Sequence, residues 1–265
     1  MRDPDAIPRD DVPQIAAALL DRLRARSPRV HCITNAVAQN FTANVLLAAG
    51  AVPSMTLSPE EIGPFVAGAN ALLVNLGTFD RERREAIEIA VKMAAQENVP
   101  WALDPVFIDR SAARTAFARE LIARAPKAVR LNAAEFSALS GRRPTPEALT
   151  AYVRDKKIVI GLSGETDLVA DDERLAAIAN GHPLMSKVTA MGCAASALVA
   201  ACLSVEQDAW RATSAALLLI GVAGELAAAK AAGPGSFSVG IIDALHNLDG
   251  PTLIANARVN FARVN

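Results

Sequence analysis

The sequence predicts an α/β fold, with a mostly parallel central sheet and helices on both of its faces. Short apolar runs alternate with helical patterns, and no low-complexity linker or fixed-period repeat divides the 265 residues. Apolar residues make up 52% of the chain, ample for a large core. Aromatics are only 4%, so Ala, Leu and Val must fill the interior, which suits helices packed closely on a sheet. The whole chain, 1–265, reads as one domain.

In chain order, Ala71 to Asn75 is a fully apolar strand closed by Asn, and a charged amphipathic helix follows from Asp80 to Glu97. Val99 to Leu103 is the next strand and ends in Asp104-Pro105. After a helix over 111–124 comes a short strand at Val129 to Leu131, then a helix over Ala133 to Ser140 that stops at Gly141. Ile158 to Leu162 is a further strand. Leu168 to Ile178 reads as a hairpin turning at its acidic residues. Ala-rich helices are expected over 193–204 and 208–231, and a last one from Ile241 to Leu248. Gly233-Pro-Gly-Ser236 reads as a helix stop.

Charge and cysteine usage narrow the partners. Lys plus Arg total 27 against 28 Asp plus Glu, so no net field favours nucleic acid or an acidic membrane, and a small-molecule substrate is expected. The three cysteines, Cys32, Cys193 and Cys202, follow no metal spacing and suit a reducing, cytoplasmic location. His31, His182 and His246 lie too far apart to read as a zinc set. The N-terminal Met-Arg-Asp-Pro-Asp has no apolar stretch of the kind a signal peptide needs. Val188 to Val205 carries no charge, but its Ala, Gly, Ser and Thr content makes it a buried helix rather than a membrane span.

Candidate chemistry gathers at strand ends, because parallel α/β sheets bind ligands outside the carboxyl ends of their strands. Asp104 reads as a turn residue or as a carboxylate aimed into that crevice. Asn132-Ala-Ala-Glu135 makes a capping box, or else brings Glu135 to the ligand side to share a hydrated Mg²⁺ with Asp104. Arg130 would meet phosphate or cover the sheet with its stem, and Ser163 would bond a nucleotide or simply turn the chain. The most informative stretch is Thr189-Ala-Met-Gly-Cys193. A small-residue turn feeding a helix offers free backbone amides and the positive end of a dipole, which together hold an anion without a charged side chain. Ala190 and Gly192 belong to that turn. Cys193 is either a small buried residue or a thiol whose pKa the helix start lowers.

Taken together, these segments resemble the hydroxyethylthiazole kinase family of the ribokinase-like superfamily. The resemblance runs from Val30-His-Cys-Ile-Thr-Asn35 through Ala71 to Thr78, Trp101 to Val106 and Asn180 to Thr189, as far as Gly233 to Leu245. It implies a single-domain ribokinase-like fold and Mg²⁺-dependent transfer of the γ-phosphate of ATP to the alcohol of 4-methyl-5-(2-hydroxyethyl)thiazole. It also implies a homotrimer with the thiazole bound where subunits meet. Asn35 and Met55 would line the thiazole pocket, Arg130 and Ser163 would contact ATP, and Asp104 and Glu135 would organise Mg²⁺. Cys193 would stand where related kinases have an Asp base. The sequence departs from the family at Ala190 and Met191, where Gly and a small residue are usual, at Leu131, and at Phe107-Ile108-Asp109. A Cβ at 190 disfavours positive φ, and Met191 is expected to place a bulky chain at the mouth of the site. Those departures motivate a second reading, a catalytically weak relative that binds thiazole or another small alcohol. A nucleotide-dependent dehydratase on the same fold is disfavoured by Cys193.

Overall fold

A computed structural model describes residues 10–264. The reading of the extreme N-terminus therefore lies outside the described residues. The first helix, α1 (Val12–Arg26), is capped by Asp11, whose carboxylate accepts from the Gln14 amide. There follow β1 (Arg29–Ile33), α2 (Gln39–Ala48), β2 (Val52–Ser54), α3 (Ile62–Ala67), β3 (Ala71–Asn75), α4 (Arg81–Gln96) and β4 (Trp101–Asp104). Next come α5 (Ala112–Ile122), β5 (Ala128–Asn132), α6 (Ala133–Ser140), α7 (Pro146–Lys156), β6 (Val159–Ser163) and the hairpin of β7 (Asp167–Ala170) and β8 (Arg174–Ile178). The chain then forms α8 (Met191–Leu203), α9 (Ala209–Ala228), α10 (Pro234–Asn247), α11 (Gly250–Asn256) and β9 (Val259–Arg263).

These strands form one nine-stranded sheet in the order β2-β1-β3-β4-β5-β6-β7-β8-β9. Pairing is parallel from β2 through β6 and antiparallel from β6 through β9. The expectation of a mostly parallel sheet holds. Because β2 and β3 lie on opposite sides of β1, the chain reverses its direction of winding there, and such a switch point opens a crevice at the carboxyl ends of the strands.

Side-chain alternation explains how the two faces are covered. On one face the strands present small residues, Ala71, Ala102 and Ala128, to the layer containing α1, α2, α8 and α9. On the other they present Leu72, Val74, Trp101, Leu103 and Val129 to α4, α5 and α7. Small residues opposite the Ala-rich α8 bring helix and sheet backbones close together, which is what carries the start of α8 to the crevice. Nearly all of α8 is buried, and at 13 residues it is a core helix. Among the described residues, α9 is long and apolar enough to cross a membrane by length and composition, but 78% of that window is buried inside the fold.

Two local expectations are corrected. Gly233-Pro-Gly-Ser236 does not end a helix. It opens α10, with Gly233 at the N-cap, Pro at the first turn, and the Ser236 hydroxyl accepting from the Gly233 amide. The helix expected from Ile241 accordingly begins seven residues earlier, at Pro234, and it is not the last, since α11 follows it. All three cysteines are free and buried.

Candidate functional site

The start of α8 has the form expected of an anion site. Ala190 occupies the N-cap in the left-handed region, at φ 68° and ψ 1°, and no side chain caps this end of the helix. Its first-turn amides therefore face the crevice without a competing side-chain acceptor. The sequence argued that a Cβ at 190 disfavours this geometry, yet the turn adopts it at a strain cost of about 1–2 kcal/mol. Met191 does not stand at the mouth of the site. Its side chain is only 8% exposed and packs into the core face that holds α9. At Gly192 a Cβ would lie 2.6 Å from an Arg130 guanidinium nitrogen, so glycine is what lets this arginine close on the turn.

Arg130 reaches that position from β5, and its Nε donates to the Ser163 hydroxyl at 2.9 Å. The parallel register that pairs Asn132 with Ser163 sets both residues at the same end of neighbouring strands. Ser163, half-buried, thus aims the guanidinium while Gly192 admits it.

Asp104 closes β4 and is 1% exposed. Its Oδ2 accepts from Asn75 Nδ2 at 2.7 Å and from the Ser196 hydroxyl at 2.8 Å. Burial pushes this carboxyl up to about 7, Arg130 opposes that, and the like charge of Glu135 adds to it. Glu135 makes the cap foreseen for it. It completes the capping box with Asn132, accepting from the Asn132 amide at 2.9 Å, and its other oxygen accepts from the Phe107 amide at 3.0 Å. Phe107 makes that bond from a left-handed conformation at φ 59°. No group of three or more His, Cys, Asp or Glu forms a closed metal site among the described residues. Two buried carboxylates, with only neutral donors on Asp104, do fit a cation held by few acids, water and phosphate.

Cys193 sits in the first turn of α8, with its sulfur 3.6 Å from Asn35 Nδ2. The expectation of a lowered thiol pKa is overturned. Burial pushes the thiol up to about 12, and the neighbouring Asp104 charge adds to the rise, while Asn75 and Arg130 only partly offset it. Desolvation is the largest cause, and a thiol raised this far is neutral at pH 7.

Asn35 follows β1 and folds back on its own loop, its side-chain oxygen accepting from the Ala38 amide at 3.0 Å. The crevice thus unites Asn35, Asp104, Arg130, Glu135, Ser163, Ala190, Gly192 and Cys193. Met55 stands apart, just past the end of β2 and partly buried against the core face that includes α8. Ser196 was missed by sequence reasoning. It lies one helical turn after Gly192, and only the packing of α8 over β4 reveals that it serves Asp104.

Comparison with known proteins agrees with this geometry. The family model described as hydroxyethylthiazole kinase family matches residues 20–250. A probable hydroxyethylthiazole kinase from Agrobacterium fabrum is 44% identical over 244 residues, covering 92% of this chain and 94% of its own. A hydroxyethylthiazole kinase from Klebsiella pneumoniae is 44% identical, covering 88% and 96%. The structure of the hydroxyethylthiazole kinase protein from Pyrococcus horikoshii superposes with a TM-score of 0.90 at 34% identity, covering 94% and 99%. A Staphylococcus aureus pyridoxal kinase, solved with AMP-PCP and pyridoxal, shares the fold with a TM-score of 0.64 at 15% identity, covering 89% and 99%. With the anion turn, the buried acids and the arginine at one switch point, and these relatives matching almost end to end, the chain belongs to the hydroxyethylthiazole kinase family.

Proposed function

We propose that this single-domain protein transfers the γ-phosphate of ATP to the primary alcohol of 4-methyl-5-(2-hydroxyethyl)thiazole, a step of thiamin salvage. The observation that carries the reading is the closure of Arg130 on the Gly192 turn directly beside Asp104. Amides at 191–193 and the Arg130 guanidinium hold the transferring phosphoryl group, and Ser163 keeps the guanidinium in place. The alcohol oxygen bonds to the γ-phosphorus as the bond to the bridging oxygen breaks and ADP leaves. Its proton passes late to a phosphoryl oxygen or to water. The transition state is loose, so position and charge matter more than a strong base, which accords with a neutral Cys193. Cys193 and Asn35 would then shape the wall against which the alcohol rests, with Met55 on the thiazole side. A magnesium ion held by Asp104 and Glu135 would neutralise the charge of the phosphate tail.

The weak-relative reading loses its main support, because Ala190 keeps the turn geometry and Met191 is buried in the core. Assembly as a homotrimer is proposed from the family resemblance; among the described residues β2 pairs with β1 alone, and Val52 and Phe65 beside it are 46% and 42% exposed, an apolar edge that a subunit contact would cover. Three free buried cysteines suit a cytoplasmic location. The test is to incubate the purified protein with ATP, Mg²⁺ and the thiazole alcohol. A phosphorylated thiazole formed in step with ADP supports the proposal. Thiazole binding without turnover would favour the weak relative instead.

A further inference from the structure

Met55 has no ladder to hold it. The parallel pairing of β1 with β2 ends at His31 opposite Ser54, and among the described residues β2 is an edge strand with no other neighbour. Beyond that pair the chain runs irregularly to α3. Yet His31, fully buried, reaches across the end of the ladder with both ring nitrogens. Its Nδ1 lies 2.8 Å from the Ser54 hydroxyl and its Nε2 lies 3.1 Å from the Thr56 carbonyl. The two partners are the residues on either side of Met55.

The chemistry of the partners selects one ring form. A carbonyl can only accept, so Nε2 carries the hydrogen, and Nδ1 is left to accept from the Ser54 hydroxyl. Burial pushes the imidazole down to about 4, which keeps it neutral across the physiological range. The ring also packs on Phe65 of α3, with centroids 5.7 Å apart, so its orientation is set from the helix side as well. A buried neutral imidazole has one donor and one acceptor nitrogen and needs a partner for each. This one clasps two positions that flank a single residue.

We infer that His31 is a positioning residue, tying down the Ser54 side chain and the Thr56 backbone carbonyl on either side of Met55 and so holding the thiazole side of the acceptor pocket in place. The inference rests on Met55 lining that pocket, as proposed above. Its role is distinct from the crevice residues, since His31 reaches the acceptor only through Met55.

Two substitutions and two readouts test it. His31→Leu keeps an apolar filler and removes both bonds, while His31→Gln restores a donor toward the Thr56 carbonyl. With Mg²⁺ and ATP saturating and the thiazole alcohol varied, His31→Leu should raise KM for the alcohol by about tenfold. It should leave kcat and KM for ATP within about twofold, and His31→Gln should recover part of the loss. In protein labelled at the methionine methyls, the Met55 signal, assigned through Met55→Leu, should shift or broaden in His31→Leu. An unchanged KM for the alcohol with an unchanged Met55 signal would overturn the inference. So would an equal fall in kcat and in affinity for both substrates, which marks a general structural loss. Should the parent protein fail to phosphorylate the alcohol, the acceptor assignment falls, and the Met55 signal still decides whether His31 positions that segment.

Discussion

The two ends of the sheet treat buried carboxylates in opposite ways. At the amino end, Arg174 donates to Asp171 at 2.8 Å and grips both oxygens of Asp208 at 2.8 and 2.9 Å, while its guanidinium stacks 4.5 Å from the Trp210 ring. Burial pushes Asp208 up, but the bonds from Arg174 and from the first amides of α9 carry it below its ordinary value. Every charge there is answered by the protein itself. At the carboxyl end, Asp104 receives only neutral donors, and its proton affinity rises to about 7. The first arrangement is finished on folding, whereas the second leaves a buried acid with no charged group bonded to it, a pattern common at functional sites.

The left-handed residues divide along the same line. Ser27, Asn98, Ala125 and Lys157 all lie at or just past the ends of helices, where such conformations are routine. Thr78, Phe107 and Ala190 instead lie around the crevice, where the chain leaves β3 and β4 or enters α8. Strain at non-glycine residues is thus spent at the rim that faces the ligands.

The contrast can be broken from either end. Asp104→Asn should cost about 10²–10³-fold in turnover, read by coupled ADP release, if Asp104 holds the cation as proposed. The same change should stabilise the metal-free protein. Asp104 has its pKa raised from 3.8 to about 7 by burial, so the folded state keeps a proton that the unfolded chain releases between those values. That contribution is full below the unfolded pKa and lost as pH rises through the folded one. In chelator at pH 8 the Asn variant should melt about 2–4 °C above the parent, with the gap shrinking toward pH 4. At the other end, Arg174→Ala strands the buried Asp171 and the half-buried Asp208 and should lower unfolding free energy by about 2 kcal/mol in denaturant titration, with little effect on kcat. Smaller still, Gly192→Ala forces Arg130 off the turn and should raise KM for ATP by about tenfold at unchanged stability. Ala190→Gly relieves the left-handed strain and should add about 1 kcal/mol of stability with activity kept. A loss of stability there would show that the N-cap conformation is not strained.

Much of this was legible in the chain because strand ends announce themselves. Strands β3 to β6 are buried on both faces and read as apolar runs, and the polar residues closing them proved to line the crevice. The edge was harder. Only three residues form β2, one of them Pro53, and β1 carries a histidine in its middle, so neither has the continuous apolar signature of a central strand. The site was readable in its membership but not in its electrostatics. That Cys193 lies at a helix start is visible in the sequence, whereas its burial beside Asp104 depends on how closely α8 lies on the sheet. Ser196 and His31 were invisible as functional groups for the same reason, since each acts on a residue that only the tertiary fold brings near.

The most direct measurement is a crystal structure with a non-hydrolysable ATP analogue and Mg²⁺. The terminal phosphate should lie within hydrogen-bonding distance of the amides at 191–193 and of Arg130, with the metal between Asp104 and Glu135. A nucleotide bound elsewhere, with those amides facing only solvent, would contradict the assignment of this crevice as the site of phosphoryl transfer.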